Sequence, residues 1–109
     1  AVRAMVRNED DRAQALRDMV AEVVIGDPLD LDSMHGVITG CWRVYFGMSV
    51  SAGYLEAIVT NSAVARKFGV NALVNMSQMT VSEMSIQNTT PSPQQRQHWL
   101  NVNVCLIHQ

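Results

Sequence analysis

The stretch from Asp30 to Gly47 constrains this chain more than any other, because it sets the largest apolar side chains at one recurring spacing. Met34, Val37, Ile38, Cys41, Trp42, Tyr45 and Phe46 follow the three- and four-residue steps that align side chains along one side of an α-helix. The spacing predicts a helix over 32–46 that dominates the core, since each large apolar side chain buried there contributes about 1.5–3 kcal/mol. Asp30 or Asp32 is placed to cap it, and the acids of Asp27 to Asp32 read as capping groups rather than a calcium loop. No glycine at the sixth loop position and no distal glutamate completes such a loop.

Gly36 and Gly40, four residues apart, share a face of that predicted helix. Glycine costs about 1 kcal/mol in a helix interior relative to alanine, so the pair predicts a backbone packed close by, within the subunit or across a seam between subunits. His35 reads as a structural histidine, because no second ligand follows at helical spacing.

Three further helices are expected. Asn8 caps the first, over 8–25, with Leu16, Met19, Val20, Val23 and Val24 as its buried stripe and Gly26-Asp27-Pro28 as its stop. Residues 1–7 read as a loose arm or an early helical turn. Tyr54, Leu55, Ile58, Val59, Ala63 and Ala65 carry a helix over 51–68, ended by Gly69. Leu73, Met76, Met79 and Met84 mark the last, over 71–85, whose methionines suit either a core or an adaptable contact surface.

Val64-Ala65-Arg66-Lys67-Phe68-Gly69-Val70-Asn71 resembles the first helix and turn of helix-turn-helix DNA-binding modules, with a small alanine four residues before the turn glycine. The resemblance implies a second, groove-reading helix within 62–80. Arg66 and Lys67 would then meet phosphates, and Asn71, Asn75 and Gln78 would meet bases. The second half departs from the pattern: Asn75 stands where an apolar residue belongs, and residues 71–86 contain no Lys or Arg.

At Gln87 the composition turns to that of a linker, with Pro91 and Pro93 holding the chain extended. Beyond it, Leu100, Val102, Val104 and Leu106 alternate with Asn101, Asn103 and Cys105, the period of a half-buried strand, although a short helix also fits. The division that follows is a helical domain over 1–86 and a docking or assembly segment over 87–109.

Only 17% of the residues are charged against 48% hydrophobic ones, little for a surface wholly exposed to water. Eight of the ten acids fall in residues 1–32, and no basic patch forms. Two cysteines make no disulfide framework and read as thiols of a reducing cytoplasm. No apolar run is long enough to span a membrane. Neither paired metal-ligand spacings, nor Gly-x-Gly-x-x-Gly, nor a nucleophile elbow occurs.

The expectation is therefore a mainly α, four-helix domain with a proline-bounded tail, acting as a non-enzymatic module that self-associates or joins a larger assembly. Its interaction candidates are Gly36, Gly40, Met76, Met79, Trp99, Val102 and Val104. No cofactor, metal or membrane partner is expected. The alternatives are the DNA-binding module and a small-molecule enzyme built around His35, Cys41 or His98.

Overall fold

A computed structural model of the chain describes residues 1–49, 51–77, 93 and 96–101. Its elements are β1 (Arg3–Val6), α1 (Asp11–Asp18), β2 (Glu22–Ile25), α2 (Leu31–Ile38), β3 (Arg43–Phe46), α3 (Tyr54–Lys67) and β4 (Ala72–Asn75), and residues 96–101 are helical. The mainly α expectation is thereby corrected, for strand and helix alternate along the chain and the fold is α/β. β1 pairs with β2, Arg3 opposite Glu22 and Val6 opposite Ile25. β3 pairs with β4, Arg43 opposite Ala72 and Phe46 opposite Asn75. Both pairs are parallel.

The helix predicted over 8–25 is in fact α1 followed by β2. Asp10, not Asn8, caps α1, its carboxylate accepting from the amides of Arg12 and Ala13. Val23 and Val24 belong to the run Glu22-Val23-Val24-Ile25, whose branched side chains suit a pleated strand paired on β1. A four-residue apolar run fits the helical period and the strand period alike, and here the strand ladder decides.

The helix predicted over 32–46 divides in the same way. Asp30 caps α2 as expected, accepting from the amides of Asp32 and Ser33. The helix stops at Ile38, Gly40 turns the chain at φ +79°, and β3 begins. From there the period is two. Val44 and Phe46 face the helices, while Tyr45 is 65% exposed and Trp42, just before the strand, 68% exposed.

α3 forms close to its predicted span, and Gly69 ends it. The helix predicted over 71–85 is, in its described part, the strand β4.

α2 and α3 pack together over one face of the strands. Met34 and Ile38 of α2 meet Val64 of α3, and Met5 of β1 and Val44 of β3 both pack against that cluster. Phe46, Tyr54, Ala57 and Ile58 form a second cluster with Leu73. Arg3 Nη1 donates to the carbonyl oxygens of Val37 at 2.9 Å and Thr39 at 2.7 Å, tying β1 to the end of α2.

Two helices end in the same hydrogen-bonded turn, with different residues at its left-handed position. After α3, the Val70 amide donates to the Ala65 carbonyl and Gly69 adopts φ +67°. After α1, the Ala21 amide donates to the Leu16 carbonyl, but the left-handed residue is Val20, at φ +66° and 88% exposed. A branched residue is strained there, and its side chain buries almost nothing in return. Val20→Gly is therefore expected to raise stability by about 0.5–1 kcal/mol, strain relief exceeding the flexibility added to the unfolded chain. Val20→Ala, which keeps the Cβ, should give a smaller gain. Thermal melts of both variants check this.

Candidate functional site

The carboxyl ends of β1 and β2 lie side by side, because the ladder sets Val6 opposite Ile25 and the Gly26 amide donates to the Val6 carbonyl at 2.9 Å. Just past those ends is a cavity of about 430 Å³ lined by Arg7, Asn8, Ile25, Gly26, Asp27 and Ser33. The loop from β2 into α2 is fixed locally: the Asp27 amide donates to Ser33 Oγ at 2.9 Å, and Asp27 Oδ1 accepts from the Leu29 amide at 2.9 Å. Gly26 is required by close packing, since a Cβ there would stand 2.8 Å from both Met5 Sδ and Val37 Cγ2.

The charges around this cavity are sorted. Glu9 is held by Arg17 and Asp10 by Arg12, and in each case the arginine's hydrogen bond is the main reason the carboxyl lies below its ordinary range. Arg3 is bonded to Glu22. Arg7 is exposed, and no side chain among the described residues bonds or pairs with it. The cavity thus has a free guanidinium on one side, a carboxylate and an amide nearby, and exposed Ile25 as its apolar wall. Such a set suits a phosphate beside a flat polar ring.

A second polar group is buried at the amino end of α3. Tyr54 Oη donates to Asn75 Oδ1 at 3.2 Å and accepts from Asn101 Nδ2 at 3.0 Å, and the His98 ring stacks on Tyr54 with centroids 3.5 Å apart. His98 is 1% exposed, and among the described residues neither ring nitrogen has a hydrogen-bond partner. Gln97 joins the segment to the α3 approach, accepting from the Leu55 amide and donating to the Ala52 carbonyl.

The residues singled out from sequence are scattered. A Cβ on Gly36 or Gly40 would meet nothing within 4 Å, so no described backbone lies against either. Arg66 and Lys67 end α3 and Met76 follows β4, all three exposed, while Trp99 is half-buried on the segment 96–101. Gln78, Met79, Val102 and Val104 lie outside the described residues. Asn71 precedes β4 and Asn75 lies within it, so the reading helix implied over 62–80 is a strand where it would begin. His35 meets Phe68 edge-on, Cys41 Sγ lies 3.7 Å from Arg3 Nη1, and His98 is elsewhere, so the three do not share a site. Among the described residues no helix is long and apolar enough to cross a membrane. The sequence reading missed Arg7 and Asp27, whose partnership exists only once β1 and β2 are paired.

The model of a family described as NAD(P)H-binding matches residues 1–103. Among solved structures, the triphenylmethane reductase of a Citrobacter species superposes with a TM-score of 0.72 at 20% identity, over 96% of this chain and 35% of that one. The same reductase complexed with NADP(H) gives 0.71 at 22%, over 96% and 36%. The chain thus spans about a third of the length of these structures, and the likeness supports a Rossmann-like α/β fold. No curated protein sequence matches it. The family match overturns the expectations of a non-enzymatic interaction module and of a DNA-binding one.

Burial pushes the His98 imidazole below its ordinary value of 6.5. The folded state therefore binds fewer protons than the unfolded one just below that value, and stability should be level above pH 6.5 and fall as the pH drops beneath it. His98→Phe keeps a stacked ring without the titration. Melting temperatures followed from about pH 7.5 to pH 5, above the usual carboxylate range, should show the fall in the parent chain and a flatter profile in the variant.

Proposed function

Because the chain belongs to the NAD(P)H-binding family, we propose that these 109 residues form the part of an oxidoreductase that grips the adenosine end of NADPH. The observation that carries this is the uncommitted Arg7 guanidinium at the carboxyl end of β1, facing the cavity that Asp27 and Ile25 also line. In open parallel sheets ligands bind beyond the carboxyl ends of the strands. An arginine near the ribose accommodates a 2′-phosphate, where an acid would take the 2′-hydroxyl of NADH. Glu9 and Asp10, the acids that follow Arg7 most closely in sequence, are both engaged by arginines of α1.

The residues fit one end of the cofactor. Arg7 would hold the 2′-phosphate, Asn8 and the Asp27 carboxylate would meet the polar edge of the adenine, and Ile25 would pack on its face. The Gly-x-Gly-x-x-Gly turn that cradles a pyrophosphate is not in these 109 residues. When bound, the nicotinamide supplies a hydride, and this part of the chain contributes binding and orientation. A small organic molecule is the proposed substrate of the whole protein, in keeping with the dye reductase it resembles.

A charge-assisted hydrogen bond contributes about 1.5–3 kcal/mol. Arg7→Ala should therefore weaken adenosine 2′,5′-bisphosphate by about 10- to 100-fold while changing 5′-AMP by less than about threefold. Isothermal titration of both ligands checks it. Equal losses for the two, or none, would remove Arg7 from this role.

A further inference from the structure

Of α1, α2 and α3, only α3 lacks a side-chain cap of its own, because Gly53 precedes it and offers no acceptor to the free amides of the first turn. A distant part of the chain supplies one. Gln97 Oε1 accepts from the Leu55 amide at 2.9 Å, while Gln97 Nε2 donates to the Ala52 carbonyl at 3.1 Å. Asn101 Nδ2 donates to Tyr54 Oη at 3.0 Å, and the His98 ring lies on the Tyr54 ring with 3.5 Å between centroids and 14° between planes. Gln97 and His98 stand four and three residues before Asn101, so helical 96–101 turns one face onto the start of α3. Tyr54 Oη donates in turn to Asn75, the last residue of β4. The segment thus clamps the first turn of α3 at the carboxyl end of β4, the end of a parallel sheet where ligands bind.

His98 is the odd member of this clamp. Its ring is buried, and among the described residues neither nitrogen has a hydrogen-bond partner. A phenylalanine would stack on Tyr54 without leaving a donor and an acceptor unpaired in the interior. Protonation adds to the penalty, because an imidazolium brings two donors and a full charge to a place where no described group accepts from it. The surrounding groups do not compensate. Tyr54, Asn75, Gln97 and Asn101 are neutral and bonded to one another or to backbone. Phe46 of β3 packs on Tyr54 and carries no charge. Glu56, in the first turn of α3, and Arg96, on the segment itself, are both exposed. Burial accordingly holds the imidazole below its ordinary 6.5.

We propose that residues 96–101 form an acid-released clamp: when His98 takes up a proton the segment leaves α3 and β4, uncovering Tyr54 and the Leu55 amide, while the rest of the α/β frame stays folded. Tyr54 remains on α3, held by Phe46, Ala57 and Ile58, and the contacts of Met34 and Ile38 with Val64 involve no residue of the segment. In the open form the imidazole lies in water and titrates near 6.5. The closed form binds fewer protons, so acid favours opening, and the opening equilibrium rises about tenfold between pH 7.5 and pH 5.5. This step is local, precedes the acid loss of the whole fold, and does not depend on whether Arg7 binds a phosphate.

Amide hydrogen exchange of the intact chain, corrected for the intrinsic effect of pH on exchange, reads the opening, because the Leu55 amide is bonded to Gln97. Its protection should fall about tenfold from pH 7.5 to pH 5.5, while that of the Gly26 amide, bonded to Val6, should hold. In His98→Phe the Leu55 protection should not change with pH, and in Gln97→Ala it should be lost at both pH values. Leu55 protection that is level with pH in the parent chain, that falls equally in His98→Phe, or that survives in Gln97→Ala overturns the proposal. A parallel loss at Gly26 also overturns it, since the whole fold would then be opening. Should either variant fail to fold, NMR titration of the His98 ring in the parent chain decides: a midpoint below 6.5 is expected, and one at or above 6.5 overturns the clamp.

Discussion

Parallel strands cannot be joined by a tight turn, so each pairing in this chain forces a crossover, and the rest of the structure follows from how those crossovers are built. β1 can lie beside β2 only because α1 returns the chain to the starting end of the sheet, and β3 can lie beside β4 only because α3 does the same. The helices in turn need strands to cover. α2 and α3 bury Met34, Ile38, Ala57, Ile58 and Val64 against each other and against Met5, Val44, Phe46 and Leu73. The same geometry gathers the carboxyl ends of β1 and β2 at one rim, which is where Arg7 and Asp27 meet across a cavity although they stand 20 positions apart in sequence.

How much of this could be read from the sequence depends on the length of each signal. α3 is long and periodic, and Gly69 closes it, so its span was legible; so was the Asp30 cap, because a side-chain acceptor before a helix acts through local geometry alone. The four-residue strands were not. Val23 and Val24 continue the spacing of Leu16, Met19 and Val20, and Phe46 continues that of Ile38 and Trp42, so each strand extends the apparent helix before it. What separates them is backbone conformation at one residue, the left-handed turn at Val20 and at Gly40. The glycine is a legible stop, and the valine is not, since a branched residue is the last that would be expected there. Val20 thus hides the boundary between α1 and β2 as well as straining it.

The candidate site was less legible than the fold. A lone arginine after a short apolar run carries no meaning until the run is a strand, the strand has a neighbour, and the acids beside it are accounted for. Glu9 and Asp10 follow Arg7 almost directly and would pair with it in an unstructured segment; in the folded chain Arg17 and Arg12 take them instead, which leaves the Arg7 charge for a ligand. The most recognisable mark of a dinucleotide site, a glycine-rich turn after a strand, is not within these residues.

The rim formed by Arg7, Asn8, Asp27 and Ser33 is the surface proposed to receive the adenosine end of NADPH. An amide-resolved NMR titration of the chain with NADPH addresses it directly. The largest and saturable shifts should fall on Arg7, Asn8, Gly26, Asp27 and Ser33, with the Arg66 to Asn71 turn unmoved. Shifts centred on that turn or on the His98 segment, with the rim unchanged at saturating NADPH, would contradict it.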